Sequence, residues 1–310
     1  MSVAPADRAP GSADDGAPAC SDGAPAYPAD LLALVEEYLE ALEFGADGRA
    51  ARLVEAMRYS LLAGGKRIRP VLALATARGL GSDPRSVLPA AAALELIHTY
   101  SLIHDDLPAI DDDTLRRGRP TCHVAYGEDV AILAGDGLFA EAFHLLLTRQ
   151  EGEPAAVLAA ATEVARATGV LGMVAGQFMD VVGLARDDDD LRTLHALKTG
   201  RLIEAAVVCP ALLAGAADVA AYRAFAAETG LLFQIVDDIL DEEGDAAQLG
   251  KSVGKDRAQR KVTYVSRHGL EGARELADAS LARALERLAA IPGDTADLAA
   301  VAVYIHGRRR

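Results

Sequence analysis

The chain has no tryptophan, only 5% aromatic residues and three cysteines in 310 residues. A sheet core is usually built from aromatic and β-branched side chains, whereas alanine and leucine, abundant here, favour helix; the expectation is an all-α fold. Cys20, Cys122 and Cys209 lie far apart with no CxxC pair. That argues against a disulfide framework or a zinc site and predicts a reduced, cytoplasmic protein. Positive charge is also scarce: 31 Lys plus Arg against 46 Asp plus Glu gives a net charge of −15. Nucleic acid is therefore not an expected partner, because displacing its counterions needs a broad basic surface. An anionic membrane surface is disfavoured for the same reason. No uninterrupted apolar run reaches the ~18 residues of a bilayer span, so no membrane span is expected. The nearest, Ala205 to Ala217, is short and carries Pro210.

What is present is apolar material for a large core, 51% of the chain. Residues 1–27 are mostly Ala, Pro, Gly, Ser and Asp, and read as a disordered leader; residues 28–310 read as one folded domain. Asp30 is a plausible N-cap for a helix whose apolar positions are Leu31, Leu34, Val35, Tyr38, Leu39 and Leu42. Similar amphipathic stretches cover 50–63, 70–79, 86–107, 128–148, 154–168, 191–214, 219–241 and 270–290. Gly, Pro or Asp clusters separate them, and no alternating strand pattern stands out. The pattern predicts a helical bundle with its site between facing helices.

Two of these helices, 86–107 and 219–241, are apolar along most of their length and end in acids. One closes on His104-Asp105-Asp106, the other on Asp237-Asp238-Ile239-Leu240-Asp241. Carboxylates at a helix C-terminus oppose its dipole, so without a cation the placement is destabilising. Asp237 and Asp241, four residues apart, share a helix face. In the first cluster Pro108 should stop the helix near Leu107 and let Asp111 fold back towards Asp105. Hard oxygen donors in this number suit Mg²⁺, which keeps several waters and completes its shell with substrate phosphate. Two such clusters, each closing an apolar helix, predict metal ions at the mouth of a greasy cavity. The matching substrate has a phosphate head and a hydrocarbon tail.

Basic clusters accompany the acids. Gly64-Gly65-Lys66-Arg67-Ile68-Arg69-Pro70 sets three cations at a helix start, a natural anion seat. Arg116 and Arg117 follow the first acidic cluster, and Lys198-Thr199-Gly200, Lys251, Lys255 and Lys261 add cations around the second. Together they predict two anion sites, one bridged by metal and one bound by Arg and Lys. His98, two turns before the first acids, is a candidate phosphate donor. Asp187 to Asp190 reads as a solvated helix start, and His144 and His195 as ordinary helix residues. Arg308-Arg309-Arg310 is most cheaply a solubilising tail, although it could fold over an anionic site.

These ordered motifs, with Gly176-Gln177 and Phe233-Gln234 beside them, resemble the trans-isoprenyl diphosphate synthases (polyprenyl synthetases) from about residue 30 to 307. Within that family the pattern is similar to the bacterial farnesyl branch. The resemblance implies an all-α isoprenoid-synthase bundle around a central cavity, acting as a homodimer. It also implies about three Mg²⁺ ions per site, with Mn²⁺ as a substitute. The implied reaction is head-to-tail (1'-4) condensation of isopentenyl diphosphate with dimethylallyl or geranyl diphosphate to farnesyl diphosphate (C15). Carried across by position, Asp105, Asp106 and Asp111 resemble the first metal ligands, and Asp237 and Asp241 the second set. Lys66, Arg69, His98 and Arg117 resemble the isopentenyl diphosphate site. Arg116, Lys198 and Lys251 resemble allylic diphosphate contacts, with Lys255 beside them, and Thr199 and Gln234 the polar groups near the allylic cation. Tyr100 lies five residues before Asp105, about 7.5 Å down the helix, beside the small Ser101. In the family, an aromatic at this position resembles the C15 pattern, acting as a floor to the growing tail. The alternatives are a geranylgeranyl (C20) synthase, a terpene cyclase, which would not need the Lys66/Arg69 anion seat, and a non-catalytic partner subunit.

Overall fold

The computed structural model describes residues 26–45, 48–243 and 262–308. Leader residues 1–25, and Lys251, Lys255 and Lys261, lie outside the described residues. The regular structure of the described residues is helical apart from one minute hairpin. The helices are α1 (Ala29–Ala41), α2 (Ala51–Leu61), α3 (Ile68–Gly79), α4 (Leu88–Asp105), α5 (Cys122–Tyr126), α6 (Glu128–Arg149) and α7 (Pro154–Thr168). They continue as α8 (Met173–Val181), α9 (Asp188–His195), α10 (Arg201–Leu213), α11 (Ala220–Glu243), α12 (Tyr264–Leu288) and α13 (Ala296–His306). The strand pair β1 (Leu115–Arg116) and β2 (Arg119–Pro120), antiparallel, escapes a periodicity search because each strand is two residues long.

Three helices form the centre. In α3 everything from Ile68 to Ala77 is buried, in α10 everything from Leu202 to Ala211, and in α4 most of Ala90 to Ile103. Helices apolar on every side belong inside a bundle. α10 packs on α3, α7 and α11; α4 packs on α3 and α6; α11 packs on α12, which kinks at Gly269 where φ is 69°. Asp30 does not cap α1, which starts at Ala29 behind Pro28; it lies in the first turn and pairs with Arg78 of α3 at 2.5 Å. The expected helix 191–214 is interrupted at Ala196–Gly200 by a π-helical turn closed by the Arg201 amide on the Ala196 carbonyl. Backbones close in around that turn. A side chain on Gly176 of α8 would meet the Lys198 backbone nitrogen at 2.2 Å, and one on Gly230 of α11 would meet the Gly200 Cα at 2.9 Å.

The membrane expectation needs correction. Averaged over 18 residues, the helical stretches Pro84–Asp105, Glu128–Arg149 and Pro154–Val181 are long and apolar enough to cross a bilayer, with mean hydropathies of 1.3, 1.6 and 1.4. An uninterrupted-run test misses them because single polar residues break alanine-rich segments whose mean remains apolar. In this fold 61% of the first window is buried, but only 39% and 44% of the others, so α6 to α8 present an exposed apolar face.

Candidate active site

α4 ends at Asp105, three residues before Pro108, and the chain turns back on itself. The Asp111 amide donates to the Asp105 carbonyl at 2.9 Å and the Asp113 amide to the Asp106 carbonyl at 3.1 Å. This is the fold-back expected from Pro108. α11 carries its acids on a continuous helix, with Asp237, Asp238 and Asp241 near its end. Both ends line a single cavity of ≈ 550 Å³ together with Asp111, Asp113, Asp180, Arg69, His98, Arg116, Arg117, Lys198 and Arg308. Tyr100, Ser101, Leu102, Met173, Val174 and Phe233 supply apolar or small wall.

The acids are not equivalent. Burial, reinforced by the carboxylates of Asp111 and Asp106, pushes the Asp105 carboxyl up to about 6 against the opposing Lys198 and Arg116. Asp106, by contrast, is 3% exposed and gripped by Arg116, whose Nε and a terminal nitrogen reach it at 2.9 and 2.5 Å. It faces a separate void of ≈ 30 Å³ beside the hairpin. Asp106, expected as a metal ligand, and Arg116, expected as a diphosphate contact, therefore hold each other, because burial makes a paired charge far cheaper than two separate ones. Asp238 shows the same economy. It is 4% exposed and accepts from the Gln234 amide at 2.9 Å and the Tyr264 backbone N–H at 2.8 Å.

The opposite wall is basic. Arg69 is buried, its Nε without a partner among the described residues, and burial pushes its guanidinium down to about 10 despite Glu95 and Asp237. Burial, then Arg69 and Arg117, hold His98 well below its usual range, so it faces the cavity neutral. Arg117 donates to the Gly64 carbonyl and lies across Gly65, where a Cβ would meet its guanidinium at 2.8 Å. Lys66 belongs to the same loop but does not line the cavity; its carbonyl accepts from the Tyr27 hydroxyl at 2.7 Å. Arg67 is a correction. It points inward from a left-handed backbone (φ 46°) to Glu36 at 2.8 Å and Glu95 at 2.6 Å, so the anion seat loses one of its three expected cations to an internal ion pair.

On the α8–α10 side the π-turn aims Lys198 and Thr199 into the cavity. Lys198 pairs with Asp180 at 2.5 Å, and the Thr199 hydroxyl donates to Gln234 Oε1 at 3.2 Å. A π-bulge of this kind often marks a functional site. Sequence reasoning missed Asp180, which Gly176-Gln177 one turn earlier on α8 could have signalled. It read Arg308 chiefly as a tail, yet the side chain lies 4.7 Å over the Phe233 ring with a nitrogen 3.3 Å from Asp237. It also set His195 aside, and His195 lines the cavity.

Among the described residues no three His, Cys, Asp or Glu side chains converge closely enough to hold a metal ion by themselves. The cavity instead presents two incomplete sets of oxygen donors, and the crowded carboxylates around Asp105 are ones a cation would relieve. Incomplete hard-donor sets fit Mg²⁺, which shares its shell with water and substrate phosphate. The chemistry of the donors fits that ion; a preformed cage is not what they make.

The sequence profile of the polyprenyl synthetases matches residues 50–300, 251 of the 310 positions. The chain belongs to the polyprenyl synthetase family. It is a trans-isoprenyl diphosphate synthase, and hence a prenyltransferase. It is 48% identical over 244 residues to a geranylgeranyl pyrophosphate synthase 7, chloroplastic, of Arabidopsis thaliana, covering 76% of this chain and 70% of the relative. It is also 48% identical over 248 residues to a farnesyl diphosphate synthase of Geobacillus stearothermophilus, covering 78% and 82%. Among solved structures it resembles a Helicobacter pylori geranyltransferase complexed with magnesium and isoprenyl diphosphate. The TM-score is 0.79 at 30% identity, over 89% of this chain and 93% of that one. The synthase thus has relatives named for both C15 and C20 products.

Proposed function

We propose that this synthase condenses isopentenyl diphosphate with dimethylallyl and then geranyl diphosphate to farnesyl diphosphate. The observation that carries the C15 reading is the Tyr100 ring. It lines the cavity one and a half turns below Asp105 and is backed by Phe139 of α6 at 5.2 Å and His104 at 5.7 Å. A ring held edge-on by a second ring is a stiff floor. The relatives named for geranylgeranyl products favour the C20 alternative, which requires that floor to yield.

Asp105 and Asp111 on one side and Asp237 and Asp241 on the other are the residues assigned to Mg²⁺, which when bound supplies positive charge to the leaving diphosphate. Lys198, oriented by Asp180, binds that diphosphate as its C–O bond ionises. Thr199 and Gln234 turn oxygen dipoles towards the developing allylic cation. Leu102, Met173, Val174 and Phe233 exclude water that would quench it. Arg69, His98 and Arg117 hold isopentenyl diphosphate so that its double bond meets the cation, and Arg308 closes the same wall. The new bond leaves a tertiary cation that loses its proton to the departed pyrophosphate. Asp106 and Asp238 hold the clusters in shape.

The exposed apolar face formed by Ile132, Leu133, Phe139 and Leu158 supports a homodimer, since a face of that kind is usually covered. The buried free thiols of Cys122 and Cys209 support a cytoplasmic location. The deciding experiment incubates the chain with dimethylallyl, geranyl and farnesyl diphosphates, each with labelled isopentenyl diphosphate and Mg²⁺. Accumulation of C15 with no extension of the farnesyl primer is the expected result; extension to C20 overturns the C15 reading.

A further inference from the structure

The residue that sequence reasoning set aside most readily is the one the cavity leaves least explained. His195 closes α9 immediately before the π-turn, on the stripe already used by Leu191 and Leu194. On that pattern it should be a packed core histidine. Its ring does stack on Tyr264, with centroids 5.5 Å apart and planes at 28°. Yet it is only 8% exposed, it lines the cavity, and neither ring nitrogen has a hydrogen-bond partner among the described residues. The Gln177 amide on the same wall is also without one among them. Buried polar groups are nearly always paired, and an orphan facing a cavity is a group awaiting a ligand.

We propose that His195 is a binding residue for the allylic diphosphate, donating a neutral imidazole N–H to a phosphate oxygen beside Lys198. Three features fix the ligand chemistry. The ring stands on the Lys198–Asp180 wall, whose ion pair at 2.5 Å occupies one lysine direction and leaves others for an anion. It is remote in sequence and element from the wall of Arg69, His98 and Arg117. A diphosphate offers only acceptors, which an imidazole N–H can meet directly. Burial, aided by Lys198 and outweighing Asp180 and Asp237, depresses its pKa to about 4. The ring is therefore neutral and does not compete with a cation for those two carboxylates. A protonated ring would pair with them.

The inference rests on the assignment of the Lys198 wall to the allylic substrate, and the test separates the two. Dimethylallyl S-thiolodiphosphate, whose ionisation is slow, is titrated calorimetrically into the full chain in the presence of Mg²⁺. KM for isopentenyl diphosphate is measured in parallel. His195→Phe keeps the stack on Tyr264 and removes the donor; His195→Asn keeps a neutral N–H. The Phe variant should bind the probe about tenfold more weakly, the size of one lost hydrogen bond to a charged group, with KM for isopentenyl diphosphate unchanged. The Asn variant should recover most of that loss. Wild-type affinity in His195→Phe, or no recovery in His195→Asn, overturns the proposal. An equal loss for both substrates would also overturn it, marking His195 as structural. If the wild-type chain instead binds the probe but never extends dimethylallyl diphosphate, the parent assignment fails.

Discussion

The acidic ends of α4 and α11 reach the same result by different routes. Each carries adjacent aspartates, and in each the second is held by structural partners; Asp106 is thereby withdrawn from the main cavity, whereas Asp238 still lines it beside Asp237. Asp106 is held by the Arg116 guanidinium, Asp238 by the neutral Gln234 amide and the Tyr264 N–H. The first cluster needs a charged clasp because Pro108 has ended its helix and the loop to the hairpin must be pinned. The second sits on an unbroken helix and needs only to be docked against the start of α12. The two members of an aspartate pair at such a site thus have different partners. One member can fix the direction in which the other points.

The strongest way to break this comparison is to remove the first member of each pair. Asp105→Ala and Asp237→Ala should each lower turnover by roughly three orders of magnitude or more, with the circular dichroism of the helices retained. Near-normal turnover in either purified variant would remove both from the metal site. Next comes the clasp: Asp106→Asn should cost about 2 kcal/mol in melting experiments, because half-buried Arg116 loses its closest carboxylate and keeps, among the described residues, only Asp113 at 3.8 Å. Asp238→Asn, which keeps an acceptor oxygen for neutral donors, should cost about 1 kcal/mol. Equal costs would erase the distinction drawn between the two clusters.

A smaller effect sharpens the roles along α4 itself. Tyr100→Ala should lengthen the product beyond C15 in chromatographic analysis while kcat for the first addition changes by less than about tenfold. An unchanged product length would deny Tyr100 its place as the floor. The smallest effect concerns pH. Asp105 has a raised pKa in the folded state, so the stability it contributes is present below the ordinary carboxylate range and is lost as pH rises through about 6. Asp105→Asn should accordingly stabilise the ligand-free protein at pH 8 by on the order of 1 kcal/mol. That gain should shrink as pH falls through 6 in thermal melts. A gain independent of pH would show that the charge is not its source.

Much of this was legible in the chain. The Pro108 stop predicted the Asp111 fold-back, and the spacing of Asp237 and Asp241 predicted a shared cavity face. What misled was local similarity of side chains with different fates. Lys66, Arg67 and Arg69 look alike in sequence, but Glu95 lies inside, one turn before His98 on α4, and draws Arg67 to it. α8 went unread because it is short and half its face is exposed, and with it went Asp180.

By itself the sequence determined the helical class, the two acid-capped apolar helices and the chemistry of a phosphate-headed, hydrocarbon-tailed substrate. These follow from residue type and spacing within single elements, which local backbone geometry dictates. Only the tertiary structure decided that Asp105 and not Asp106 meets the main cavity, that Arg308 returns to Asp237, and that His195 lines the cavity with no hydrogen-bond partner among the described residues. Those outcomes depend on groups far apart in the chain competing for burial, and no local pattern records who wins.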